Sequence, residues 1–269
     1  MTAIPDVRSA GPEVLVPESE DEAIEAFGDG TDVTVLGGGT IVIADMTYGR
    51  LAPSRIVMLG RAGLSEISRD GSRITIGAAT PVQELLNLDS PLGPCAANVA
   101  DLEIRSQGTL GGNICAGEGA DVPRGDLQGP LLALGATTRS AGEDGIAEEP
   151  LEDFLDKRRE RLLLDVSFET PAVGAFASLD RPHTHDYTAL AVSGVRADGG
   201  DIRLAVTGAG WYGRRLPSAE AAASDSEKAG RAALDDVELH DDALASAWYR
   251  QQTLPVLVRR VLAELQEAS

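Results

Sequence analysis

Two glycine-centred stretches hold the residues best suited to chemistry. They are Val35-Leu36-Gly37-Gly38-Gly39-Thr40-Ile41 and, further along, Ile104-Arg105-Ser106-Gln107-Gly108-Thr109-Leu110-Gly111-Gly112-Asn113-Ile114. Glycine has no Cβ, adopts positive φ readily and lets backbone N–H groups turn onto a ligand that side chains would otherwise shield. A diphosphate held in this way needs no lysine. The first stretch follows the β-branched run Val33-Thr34-Val35 and precedes Ile41 to Met46, which reads as a helix start. Strand, glycine turn and helix is the order in which phosphates sit on helix N-termini. Neither the dinucleotide fingerprint G-x-G-x-x-G nor the P-loop run G-x-x-x-x-G-K-[ST] is present. Each stretch alone also fits an ordinary tight turn; the pair reads as a two-sided cradle for an anionic cofactor.

In the second stretch Thr109 and Asn113 flank Gly111-Gly112 with short polar side chains able to reach ligand oxygens. Asp121 follows in Gly117-Glu118-Gly119-Ala120-Asp121, ahead of the apolar helix candidate Leu127 to Leu134. A carboxylate there suits ribose or ribityl hydroxyls, and equally suits a helix-entry cap or a solvated loop acid.

These segments resemble a known family. Val35 to Thr40, the strand Arg55-Ile56-Val57-Met58-Leu59, Arg73 to Thr80 and Ile104 to Asn113 occur in the order found in the FAD-binding medium subunits of molybdenum hydroxylases, the group of carbon monoxide and xanthine dehydrogenases. The likeness continues through Leu131 to Ala136, Pro150 to Phe154 and Ala247 to Arg250, with Thr109 to Asn113 its most specific part. The resemblance implies an α+β chain: a two-subdomain PCMH-type FAD-binding domain, then a three-stranded antiparallel sheet with a helical bundle. It implies non-covalent FAD held by Val35, Leu36, Gly37, Gly38, Gly39, Thr40, Ile41, Ala79, Thr80, Thr109, Gly111, Gly112, Asn113 and Asp121. It further implies a relay in which electrons from partner iron-sulfur clusters pass through FAD to an external acceptor. The partners implied are a molybdopterin-binding large subunit and a 2Fe-2S small subunit, in a dimer of heterotrimers. The chain departs from the family at Ser106, commonly Asn, at Glu118-Gly119, commonly Ser-Pro, and at Ser178, often Lys. The polar stretch Lys157-Arg158-Arg159-Glu160-Arg161 reads as a solvated turn. A self-contained flavin oxidase and a flavin-free assembly module stand as the alternatives.

Composition narrows the partners. With 43 acidic and 23 basic residues the formal charge is −20, which disfavours nucleic acid and anionic membrane surfaces. No run of ~18 apolar residues marks a membrane span, and the first residues form no positively charged signal region, so the chain is expected in the cytoplasm. Cys95 and Cys115 are too few to ligate a cluster, which takes about four thiolates, so any clusters belong to partners. Cys115 reads as a small buried hydrophobe. His183, His185 and His240 lack metal-ligand company, and no metal site is expected.

The elements that must position the loops follow from periodicity. Val14 to Val16, a helix from Ser19 to Phe27 with a Ser19/Glu22 capping pattern, and Val33 to Leu36 form a βαβ piece presenting the first loop. Strands are expected at Ile56–Leu59, Leu64–Ile67, Arg73–Gly77, Thr137–Ser140 and Leu162–Ser167, with helices at Pro81–Leu86 and Pro94–Leu102. Three further strands, Val173–Ala177, Ala189–Ala197 and Ile202–Gly208, precede helices at Ser226–Leu234 and Ala243–Glu267. Leu254, Val258, Val261, Leu262 and Leu265 fall at helical spacing and read as core. The expected division is 1–168 (subdomains about 1–54 and 55–168) and 169–269.

Overall fold

A computed structural model describes residues 11–117, 125–179, 183 and 187–267. The first layer holds β1 (Glu13–Leu15), α1 (Glu20–Phe27), β2 (Val33–Leu36), α2 (Val42–Thr47) and β3 (Arg55–Met58). Its strands form a parallel sheet in the order β1-β3-β2. Helix α1 starts where Ser19 Oγ accepts from Glu22 N at 3.2 Å, while the Glu22 carboxylate accepts from Glu18 N at 2.8 Å. Glu20, Asp21 and Glu22 place negative charge against the positive end of the helix dipole. Ala23 and Phe27 are the buried residues of α1.

The second layer follows in sequence. It contains β4 (Ile67–Asp70), β5 (Arg73–Gly77), the short helices α3 (Leu92–Ala97), α4 (Leu102–Gln107), α5 (Leu110–Ile114) and α6 (Gln128–Ala133), then β6 (Thr137–Gly142), β7 (Gly145–Pro150), α7 (Leu151–Lys157) and β8 (Leu162–Glu169). The five strands pair as β4-β5-β8-β6-β7, all antiparallel. Seven of the eight residues of β8 lie below the surface or half-buried, as befits the central strand.

The third layer is a sheet of β9 (Val173–Ser178), β10 (Ala191–Arg196), β11 (Ile202–Thr207) and β12 (Arg214–Arg215), followed by α8 (Pro217–Ala221), α9 (Ser226–Ala232) and the long α10 (Ala247–Glu267). Leu254, Val258, Val261, Leu262 and Leu265 are buried, in the core that α10 forms with this sheet.

Several expectations need correction. The last sheet has four strands, because Arg214 and Arg215 pair with Val206 and Ala205; two arginines carry no strand periodicity. The hairpin partner β7 is exposed and acidic along much of its length, which hides its alternation. The Pro81–Leu86 helix is a 3-10 turn, Val82–Asn87, and the strand expected at Leu64 starts at Ile67. The Pro94–Leu102 helix is two helices, α3 and α4. Ala100 between them takes φ +40°, and Arg105 spans the break, donating to Val99 O at 2.9 Å and Ala100 O at 3.0 Å. Helix α10 starts later than Ala243, because Asp242 Oδ1 accepts from Leu244 and Ala245 N while Asp241 Oδ1 accepts from Ala247 N.

One ion-pair network joins the first two layers. Arg139 on β6 donates to both oxygens of Glu20 on α1, at 2.6 and 2.7 Å, and to Asp165 on β8 at 2.6 Å. These bonds to Arg139 hold the Glu20 carboxyl below its ordinary 4.5. A depressed acid adds stability above its unfolded pKa and loses it as the pH falls through the folded value. Glu20→Gln should therefore cost about 1 kcal/mol at pH 7, the solvent-screened range for such a pair. The gap between variant and parent in thermal melts should close once the pH drops below Glu20's depressed value, and a gap independent of pH would count against the network.

Candidate functional site

The end of β2, the Gly37–Gly39 turn and α5 bound a cleft of about 630 Å³, within the roughly 300–1,000 Å³ of small-molecule sites. Phe27, Val33, Val35, Leu51, Leu59, Val82, Val99 and Ile104 supply apolar wall. Of the residues expected from sequence, Val35, Gly37, Gly38, Gly39, Thr40, Ile41, Thr109, Gly111, Gly112 and Asn113 line it together. Leu36 and Ala79 instead pack inward as buried residues, and Thr80 is fully buried beside the cleft with no partner for its hydroxyl among the described residues. Asp121 lies outside the described residues.

The two glycine loops do different work. Gly39 takes φ +76°, which turns the chain from β2 into α2. Ile41, the cap residue of α2, makes no side-chain cap bond. Among the described residues, the amides of Gly38, Gly39, Thr40 and Ile41 meet no protein acceptor. Four donors are thus left for a ligand, and such amides at a helix start favour negative charge. In the second loop the amides are already used: Leu110 N donates to Thr80 O, Gly111 N to Ala78 O, both at 2.8 Å, and Gly112 N to Thr109 Oγ1 at 3.1 Å. Asn113 Oδ1 accepts from Leu127 N at 2.8 Å. The expected second amide cradle is therefore a capped helical turn, whose glycines serve close packing. A Cβ on Gly38 would fall inside the Gln107 carbonyl, one on Gly37 would overlap Thr109 Oγ1, and one on Gly111 would lie 2.9 Å from Ala78 O. Gly112 differs, since a Cβ there meets only Thr109 Oγ1, at 3.1 Å.

Several wall residues escaped the sequence reading. Asp126 lines the cleft and is 9% exposed, five residues beyond Asp121. It adjoins the apolar run at Leu127, and that adjacency was the signal available. Arg158 and Arg161, expected in a solvated turn, are buried on the cleft wall, where Arg159 joins them. Their burial follows from their hydrogen bonds: Arg161 donates to Ser140 Oγ at 2.8 Å and Gly145 O at 2.7 Å and pairs with Asp144, and Arg158 donates to Leu155 O at 2.7 Å and Gly117 O at 2.6 Å. Tyr187 also lines the wall; burial, then Asp126 and Asp45, pushes its phenol up to about 12. Cys115, expected as a buried hydrophobe, opens onto the cleft. The protein packed around the rest of its thiol raises the pKa to about 12, against the opposing charge of Arg158.

Unclaimed amides at one place, a carboxylate, an arginine wall and apolar surface between them suit an elongated ligand with phosphates, hydroxyls and an aromatic portion. The class these features suit is a nucleotide-cofactor protein. Residues 8–168 match the family described as FAD binding domain in molybdopterin dehydrogenase, and the chain belongs to that family. FAD is accordingly its cofactor, and the chain is an oxidoreductase component. It is 27% identical over 278 residues to the 6-hydroxypseudooxynicotine dehydrogenase complex subunit alpha of Paenarthrobacter nicotinovorans, covering 93% of each chain. It is 29% identical over 152 residues to the carbon monoxide dehydrogenase medium chain of Hydrogenophaga pseudoflava, covering 53% of this chain and 51% of that one. Among solved structures, carbon monoxide dehydrogenase from Hydrogenophaga pseudoflava lacking the Mo-pyranopterin moiety superposes with TM-score 0.84 at 25% identity, covering 96% of this chain and 98% of that one. Quinoline 2-oxidoreductase from Pseudomonas putida 86 shares the fold, with TM-score 0.81 at 21% identity and coverage of 96% and 98%. The chain thus has the mixed α/β fold of these medium chains.

The glycine contacts separate folding from binding. In flavin-stripped protein, Gly38→Ala should lower the melting temperature by several degrees, since about 1 kcal/mol moves a domain of this size by roughly 2–4 °C. Gly112→Ala should melt with the parent yet retain less FAD after gel filtration. Equal melting losses for both variants would show that the second loop's glycines serve only the fold.

Proposed function

We propose that this chain is the electron-relaying FAD subunit of a heteromeric molybdenum hydroxylase. In this reading the chain divides into an FAD-binding domain, 1–168, and a C-terminal domain, 169–269. The observation that carries the reading is the cleft in which unclaimed amides at Gly38–Ile41 and the Asp126 carboxylate share one wall system. FAD, when bound, supplies a redox centre able to accept and pass on electrons singly or in pairs. The amides of Gly38, Gly39, Thr40 and Ile41 hold its diphosphate, with Val35 and Ile41 packing beside it. The Thr109 hydroxyl and Asn113 contact it from α5, and Gly112 leaves room for its approach. Asp126 accepts from its hydroxyls on the cleft wall, a role the sequence also suggests for Asp121, and the apolar walls exclude water from the ring system. Arg158, Arg159 and Arg161 balance the negative charge the site gathers.

Two cysteines leave the clusters to another chain. A 2Fe-2S small subunit and a molybdopterin-binding large subunit complete the enzyme, in a dimer of heterotrimers, with substrate oxidised on the large subunit. The curated relatives include a dehydrogenase complex subunit, a hydroxylase medium subunit and carbon monoxide dehydrogenase medium chains, which supports this arrangement. Among the described residues no helix is long and apolar enough to cross a membrane.

Cys115 stands on the cleft wall, yet a thiol with pKa near 12 is a poor nucleophile at neutral pH. The flavin is therefore expected to be non-covalent: denaturing the purified protein should release FAD quantitatively into the supernatant, and Asp126→Asn should weaken its retention about tenfold, the loss of roughly 1.4 kcal/mol. The isolated chain should oxidise no aldehyde, purine or carbon monoxide, while co-expression with the two partner chains should restore turnover. Turnover of an organic substrate with oxygen by the lone chain would replace the relay with a self-contained oxidase.

A further inference from the structure

The backbone that leaves α5, from Ile114 to Gly117, forms part of the cleft wall through Cys115 and Ala116. Three of its four carbonyls are held by side chains. Gln128 Nε2 donates to Ile114 O at 2.6 Å and to Ala116 O at 3.1 Å, and Arg158 donates to Gly117 O at 2.6 Å. The same two side chains also grip one turn of the C-terminal sheet. Gln128 Oε1 accepts from Gly213 N at 2.7 Å, and the Arg158 guanidinium lies 4.1 Å over the ring of Tyr212. Gln128 is fully buried, and a buried amide is tolerated only when its donors and its acceptor are engaged. Two glycines enclose it: a Cβ on Gly213 would lie 2.8 Å from Gln128 Cβ, and one on Gly125 would overlap the Gln128 amide. The amide therefore has one place to go.

We propose that Gln128 and Arg158 are positioning residues for the flavin, clamping the Ile114–Gly117 backbone behind the Thr109–Asn113 loop and tying it to the Tyr212–Gly213 turn. The neighbouring bonds reinforce the tie, since Thr207 Oγ1 on β11 accepts from Gly129 N at 3.1 Å and contacts Asp126 O at 3.4 Å. Asp126 and Asn113, which joins Leu127, are thereby referenced to the C-terminal sheet as well as to their own layer. A displacement of the Tyr212–Gly213 turn is felt at the flavin wall through two side chains. The inference rests on the assignment of the cleft to FAD.

The test uses the full chain loaded with FAD and reads three signals: the FAD release rate by recovery of flavin fluorescence, the visible circular dichroism of bound flavin, and the melting temperature of flavin-stripped protein. Gln128→Leu and Tyr212→Leu approach the clamp from its two ends, and the second alters an aromatic contact with no buried amide to strand. Thr138→Val is the control, because it deletes the hydrogen bond from the buried Thr138 hydroxyl to Glu149 O within the second sheet. Both clamp variants should release FAD about tenfold faster, Gln128→Leu through the loss of its amide hydrogen bonds and Tyr212→Leu through the loss of the cation–π contact that holds Arg158, and should alter the flavin dichroism. Thr138→Val should lower the melting temperature without either change. Release rates that follow melting temperature across all three variants would overturn the positioning role, as would an unchanged rate in Tyr212→Leu together with Gln128→Leu. A parent protein that binds no FAD would overturn the flavin assignment itself, which the parent measurement alone decides.

Discussion

The structure depends on one close approach, between the backbone of Gly38 and that of Gln107-Gly108, beside which Gly37 lies against the Thr109 side chain. The first belongs to the parallel layer and the second to the layer built on β8, so this contact fixes how the two halves of the cleft face each other. Backbone meeting backbone without intervening side chains gives a junction with little freedom to slide, and interiors packed in this way transmit small displacements rather than absorb them. Hydrogen bonds behind the junction stiffen it: Leu110 N to Thr80 O, Gly111 N to Ala78 O and Val82 N to Gly108 O, each at 2.8 Å. With the amides of Leu110, Gly111, Gly112 and Asn113 spent on this scaffold, the run of consecutive unclaimed amides among the described residues of the two loops lies on the first, at Gly38 to Ile41. The cleft therefore has a polar, anion-accepting end and a predominantly apolar remainder, an asymmetry matched to a ligand that is charged in one part and aromatic in another.

Much of this was legible in the sequence, and the reasons are specific. The glycine loops announce themselves because only a residue without Cβ allows the approach at Gly38, and glycine takes the φ +76° at Gly39 without strain. Helix α1 is legible through Ser19 and Glu22, and α10 through its apolar spacing. Asp126 has no sequence signal beyond its place beside the apolar run at Leu127, because a single acid in a connecting segment does not show that the chain turns it onto the cleft wall. The burial of Arg158 and Arg161 is hidden for a related reason. A run of four cations in five residues looks solvated, and only three-dimensional partners, the carbonyls of Leu155, Gly117 and Gly145 with Ser140 and Asp144, make burial affordable. Short polar elements such as β12 carry no periodic signal at all.

The charge distribution sharpens what holds the ligand. A chain at −20 presents an unfavourable far field to a diphosphate, but that field fades beyond roughly 8 Å at physiological ionic strength. Binding must then come from groups in contact: amide dipoles that cannot be neutralised, and guanidinium groups that stay charged at any accessible pH. Arginines held by backbone carbonyls suit this task because those bonds fix their position without cancelling their charge. Arg158 uses its bonds in this way while stacking on Tyr212, so the C-terminal turn helps define the place of this cleft arginine. The third layer, which contributes little of the cleft wall directly, thereby acquires a part in shaping it, because its Tyr212–Gly213 turn engages the same two side chains, Arg158 and Gln128, that hold the carbonyls of Ile114, Ala116 and Gly117 behind the cleft.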